Sequence, residues 1–154
     1  MLDGALSVFR GLLHVGFDRL RERSAQRERA AAVAPVLTLL TEANPDVLLA
    51  LSGDRGRIEG LMAEFYDRWR ELRDPLARFC TGDASRRVVE SGERLIEAVS
   101  QMLNATHYLV MFATSNPSTL WSAREAASSR HREAVAAARS LLDKIERESA
   151  GAMS

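Results

Sequence analysis

Large apolar residues recur along most of the chain at the three-and-four spacing of a helix face, and breaks in that rhythm divide it into segments. In the first segment Leu2, Leu6, Phe9, Leu13, Phe17 and Leu20 fall on one stripe. Asp3, Ser7, Arg10, His14, Asp18 and Arg21 fall on a narrower, polar one. That pattern predicts an amphipathic helix with a broad apolar face. Residues 21–29 are charged, with Arg23, Arg27 and Arg29 among Glu22 and Glu28, and read as a solvated stretch of helix. Val33, Val36, Leu37 and Leu40 then restore an apolar face, and Pro35 either kinks one long helix or starts a new one.

Asn44-Pro45-Asp46 has the form of a helix cap followed by proline at the first helical position. The short helix it opens should stop at Ser52-Gly53. From Asp54 to Cys80 the spacing is the most regular in the chain. Ile58, Met62, Phe65, Trp69, Leu72, Leu76 and Phe79 alternate by four and three in a coiled-coil-like seam. The register passes through Pro75, which predicts a kinked helix or two nearly coaxial ones with Asp74 as the second cap. Thr81-Gly82-Asp83 reads as a turn. Residues 84–115 form a further helix through Val88, Leu95, Val99, Met102 and Leu109. Asn116-Pro117 repeats the cap-and-proline signal and opens a last helix to about Glu148, lined by Ala127, Ala134 and Ala138. Alanine there lets a neighbouring helix approach closely. Two such helices of about 30 residues each span about 45 Å and form an antiparallel hairpin.

The expected fold is therefore all-α, an elongated up-down bundle of four main helices with a short extra helix. Residues 1–149 make one domain, within which the amphipathic helix of residues 1–33 either packs on the core or extends from it. Residues 150–154 read as a disordered tail. With 154 residues, 46% hydrophobic and 27% charged, the chain can bury a core without disulfides or metals. Cys80, the single cysteine, is expected as a small, partly buried residue.

Formal net charge is zero, so no field of one sign draws the whole molecule to nucleic acid or an anionic membrane. Lys144 is the only lysine among 21 basic residues, a bias expected of a G+C-rich genome. Asp3, Arg10 and His14 interrupt the first apolar stretch, which is unlike a secretory signal. The run Tyr108–Phe112 is too short to span a bilayer. The expected setting is cytoplasmic, without an integral span.

Candidate chemistry is sparse. The histidines are His14, His107 and His131. A di-iron bundle needs Glu-x-x-His on two helices, but Asn104 and Ser128 stand three residues before His107 and His131. No metal or other cofactor is expected, and His107 reads as a helix-face or core residue with a backbone partner. Glu59, Glu64, Asp67, Glu71, Glu90, Glu93 and Glu97 lie mostly off the apolar stripes, with Glu64–Arg68 and Glu90–Arg94 as expected surface pairs. Trp69 and Trp121 read as core or end-plug residues whose indole N–H groups need partners.

Arg124 and His131 are seven residues apart, so two helical turns bring them to one face. This Arg-x6-His spacing resembles the HEPN family of small helical RNases. The resemblance covers these two residues and the all-α length. It implies metal-independent cleavage of an RNA phosphodiester by Arg124 and His131. The family has a polar residue such as Asn, Asp or His directly after the arginine, where this chain has Glu125.

The N-terminal stripe has three destinations: the protein's own bundle, a homodimer seam, or the surface of a membrane aided by the arginines of residues 19–29. The leading expectation is a non-enzymatic helical-bundle interaction or scaffold protein, its partner unidentified. The HEPN-like RNase and the peripheral membrane module stand as alternatives.

Overall fold

The computed structural model describes residues 2–79, 84–113 and 116–153, and within them the side chains of residues 20–151. Five helices follow in order: α1 (Leu2–Glu42), α2 (Pro45–Ala50), α3 (Arg55–Phe79), α4 (Arg86–Phe112) and α5 (Pro117–Met153). No strand occurs among the described residues. The expected all-α bundle, four long helices and a short one, is the fold observed.

Polar side chains start four of these helices. Asn44 Oδ1 accepts the Asp46 amide at 2.9 Å, and Pro45 occupies the first helical position of α2. Asp54 Oδ1 accepts the Arg57 amide at 3.1 Å ahead of α3. Ser85 Oγ accepts the Val88 amide at 3.3 Å for α4. Asn116 Oδ1 accepts the amides of Ser118 at 3.0 Å and Thr119 at 3.4 Å for α5. Each satisfies backbone donors that the first turn leaves unpaired.

Neither internal proline ends its helix. Pro35 lies inside α1 and Pro75 inside α3, so Asp74 is no cap. A proline removes the donor for the carbonyl four residues earlier. Those residues, Ala31 and Glu71, are exposed, and water can serve the freed carbonyls. The amphipathic N-terminal segment is thus the first part of one 41-residue helix, about 62 Å long against about 38 Å for the 25-residue α3. At the other terminus α5 continues to Met153, past the end expected near Glu148 and into the residues read as a tail. The expected Thr81-Gly82-Asp83 turn and Cys80 lie outside the described residues.

Neighbouring helices run antiparallel around a closed ring, α1 to α3 to α4 to α5 and back to α1. Between α1 and α3, Arg29 reaches Phe79 and Glu42 reaches Arg68. Between α3 and α4, Tyr66 meets Asn104 and Trp69 meets Ser100. Between α5 and α1, Glu148 lies at Gln26 and His131 at Leu40. In each pair one number rises as the other falls.

The main core joins Val36 and Leu40 of α1, Phe65 and Trp69 of α3, Leu95 and Val99 of α4, and Leu141 and Ile145 of α5. Ala134 and Ala138 are fully buried in it. Their small side chains allow the close α4–α5 approach expected of them. A smaller core at the α4–α5 hairpin end gathers Leu109, Ala113, Ala123 and Ala127, with Leu49 of α2 packed against it. The described residues thus divide into a hairpin end, closed by α2, and an opposite end where α3 finishes and α4 begins.

Candidate functional site

His131 and Arg124 project from one stretch of α5, but each is engaged by a different neighbour. His131 Nε2 lies 2.7 Å from the Leu40 carbonyl oxygen. Leu40 is in the last turn of α1, where carbonyls have no helical donor ahead of them. Ala43 N–H closes on Leu39 O at 2.9 Å, and the next carbonyl is taken by the imidazole. A carbonyl oxygen can only accept, so Nε2 is the donor in this contact. Arg124 Nε donates to Asp46 Oδ1 at 3.1 Å, across to the first turn of α2, with both side chains more than half exposed. The pair therefore fastens α5 to the α1–α2 corner, one residue on each helix.

The charged stretch of residues 21–29 departs from the solvated reading. Arg29 is 5% exposed and Gln26 is 3% exposed. Helical periodicity turns these two residues inward on the face that carries Val33 and Val36. Arg29 Nε donates to Phe79 O, at the end of α3, at 3.2 Å, and its Nη1 approaches Glu22 Oε1 at 3.5 Å. Gln26 Nε2 donates to Glu22 at 3.0 Å and to Glu148 of α5 at 3.4 Å. The Ser85 hydroxyl at the start of α4 donates to the same Glu148. One polar cluster thus ties all four long helices together at the end opposite the hairpin. Arg29 does for α3 what His131 does for α1, supplying a donor to a helix end from another helix.

The aromatic residues separate into two groups. Trp69 is buried as expected, and its Nε1 donates to Ser100 Oγ at 3.3 Å. Tyr66 donates to Asn104 Oδ1 at 2.9 Å, and burial raises its phenol above the ordinary 10.0. Trp121, expected in the core or as an end plug, is instead 68% exposed. It precedes the inward-facing Ala123 by two positions, which on a helix turns it away from the core. Tyr108 and Phe112, one turn apart on α4, are exposed with ring centroids 6.0 Å apart. His107 stands between Tyr66 and Phe112, 6.0 Å from each ring, and its buried Nδ1 has no hydrogen-bond partner. The backbone partner expected for that histidine is absent at this nitrogen.

Two expected surface pairs are exchanged for others. Arg68 pairs with Glu42 of α1 rather than Glu64, and Glu90 pairs with Arg86 rather than Arg94. Of the N-terminal stripe, Leu20 is 60% exposed, while the side chains of Leu2, Leu6, Phe9, Leu13 and Phe17 lie outside the description. The stretch Leu20–Ala50 is long and apolar enough to cross a membrane by length and composition. Its Val33, Val36, Leu39 and Leu40 are fully buried against the other helices. An open groove of about 610 Å³ runs between α1 and α3 beside Pro35 and Leu72. Among the described residues, no three His, Cys, Asp or Glu side chains gather where a metal ion could be held.

Comparison with family models, with curated proteins and with solved structures finds no match for the chain.

Proposed function

We propose that this protein is a non-enzymatic interaction module whose contact surface is the hairpin end of the bundle. One observation carries the reading. Of five large apolar side chains exposed among the described residues, four (Val47 on α2, Tyr108 and Phe112 near the end of α4, and Trp121 near the start of α5) lie on the segments that meet at the hairpin end around the small core. Exposed apolar residues gathered at one place mark contact sites. Tryptophan and tyrosine are also the residue types that dominate binding energy at protein interfaces. The small core and α2 hold these side chains on helices, so they are presented without a large ordering cost on binding.

The RNase reading competes with this one through Arg124 and His131. Against it stand the pairing of Arg124 with Asp46 and the tie of His131 Nε2 to the Leu40 carbonyl, which leave Nδ1 as the one ring nitrogen able to meet a substrate and Arg124 already holding a carboxylate. The membrane reading rests on the N-terminal stripe, of which the exposed Leu20 is the described member.

Cross-linking from a photoreactive group placed at Ser122, next to Trp121, tests the proposal. The expected result is a discrete adduct that disappears in a folded Phe112→Ser, Trp121→Ser variant and persists in Leu20→Ser. Adducts indifferent to the double substitution would overturn it. RNA cleavage that is lost in His131→Ala would move the function to the nuclease. Flotation with liposomes abolished by Phe9→Glu and Phe17→Glu would move it to the membrane.

A further inference from the structure

The antiparallel α4–α5 pair carries a second feature, away from the hairpin end. On α4, Arg87, Ser91 and Arg94 follow i, i+4, i+7 spacing and share one face. On α5, Ser140, Lys144 and Arg147 do the same. The register is set by two contacts: Lys144 Nζ donates to Ser91 Oγ, and Ser85 Oγ donates to Glu148. Antiparallel helices in that register place Arg87 level with Arg147, Ser91 with Lys144, and Arg94 with Ser140. The surface between them opens into two adjoining clefts of about 290 Å³ and 210 Å³, and Lys144 lines both.

The charges in these clefts do not balance. Four cations (Arg87, Arg94, Lys144 and Arg147) line them with two carboxylates, Asp143 and Glu148, on a chain whose total is zero. Both carboxylates are already engaged. Asp143 Oδ2 holds Arg147 at 3.0 Å, and Glu148 accepts from Ser85 and from Gln26. Arg87, Arg94 and Lys144 have no carboxylate partner among the described residues. Arg87 also lies in the first turn of α4, where the helix's own partial positive charge adds to its field. Like charges in excess of their counterions raise the free energy of the folded state, and an anion seated among them relieves it. The hydroxyl of Ser140 supplies a neutral donor beside them.

We propose that the α4–α5 cleft centred on Lys144 binds a phosphate-bearing ligand. Arg87 and Arg94 would present planar guanidinium forks from its two ends, with Lys144 as a point charge between them. Both clefts are smaller than the roughly 300–1,000 Å³ of pockets that enclose whole drug-sized molecules. The site therefore suits a phosphate group rather than the body of the molecule that carries it. A soluble ester and a lipid headgroup both carry such a phosphate, and the chemistry of recognition is the same.

Two titrations of the full-length protein test this. Inorganic phosphate is added at constant ionic strength, with chloride as the matched control, and binding is read by phosphorus NMR and by the thermal midpoint. Phosphatidylcholine vesicles with and without phosphatidic acid are used for flotation. Phosphate is expected to raise the midpoint and bind with Kd on the order of 1 mM or tighter. Arg87→Gln with Arg94→Gln should weaken it by about tenfold or more, about 1.4 kcal/mol. Arg57→Gln, on the exposed start of α3, should leave it unchanged. Both cleft arginines are exposed, so the double variant should keep the helix content of the parent. Lys144→Met, which keeps the length of the side chain, should also weaken binding. Flotation that requires phosphatidic acid and is lost in the double variant assigns the phosphate to a lipid. Phosphate binding without flotation assigns it to a soluble ester. No binding in either arm, or binding and flotation indifferent to the double variant, overturns the proposal.

Discussion

Replacing His131 by alanine separates a structural role for this side chain from a chemical one. His131 Nε2 donates to the Leu40 carbonyl at 2.7 Å, and Leu40 is fully buried. Removing the ring leaves that carbonyl without its partner in a place water does not readily reach. A typical intramolecular hydrogen bond contributes about 0.5–1.5 kcal/mol net, and an orphaned buried acceptor costs about 1–3 kcal/mol. The substitution deletes the bond and creates the orphan in one step, so the larger range applies. The half-buried ring also leaves a partial void, which adds to the loss. Equilibrium urea unfolding should show His131→Ala destabilised by about 1–3 kcal/mol with an unchanged slope. At roughly 2–4 °C per kcal/mol for a chain of this size, the thermal midpoint falls by several degrees. Glutamine, whose amide nitrogen can replace Nε2 as donor, should recover part of the loss. The reasoning is refuted if His131→Ala stays within about 0.5 kcal/mol of the parent, the range of ordinary surface substitutions. It is equally refuted if His131→Gln is no more stable than the alanine variant.

Three further outcomes follow from the described contacts. Arg29→Ala strips Phe79 O of its donor, while the half-exposed Glu22 keeps its bond from Gln26, so chemical denaturation should show a loss of about 1–3 kcal/mol. Trp69→Phe keeps most of the ring volume but gives up the indole bond to Ser100, and the same assay should read about 0.5–1.5 kcal/mol. Tyr66 has its phenol raised by burial, so it remains neutral in the folded protein at a pH where the unfolded chain already ionises. Stability should therefore be intact below pH 10.0 and decline as pH rises through and beyond it, and Tyr66→Phe, followed by circular dichroism, should remove that part of the decline.

Much of the architecture was legible because periodicity and capping are local. Asn44-Pro45 and Asn116-Pro117 announce helix starts within three residues, and both caps are made as the residue types require. The α3 seam was equally readable, with Ile58, Met62, Phe65, Trp69 and Leu76 all buried. The candidate sites were far less so. Arg29 sits in a stretch with the composition of a solvated face, yet it is buried because the end of α3 supplies a carbonyl fifty residues away. Trp121 has the composition of a core residue, yet its position two before Ala123 turns it outward. Arg124 and His131 share a face as their spacing requires, but nothing local shows that Asp46 and Leu40 stand opposite them.

What the chain alone determined is which segments are helical, where they begin, and which side of each is apolar. Those properties depend on residues three and four apart. Only the packed bundle decided which helices are neighbours and in what register, and with that the fate of each polar side chain. A donor such as Arg29 or His131 becomes a structural clamp when an unpaired carbonyl arrives beside it, and Arg87 remains an unmatched charge when none does. Which of these occurs depends on partners brought together by the burial of apolar surface, a non-directional force that leaves no mark at the polar residue itself.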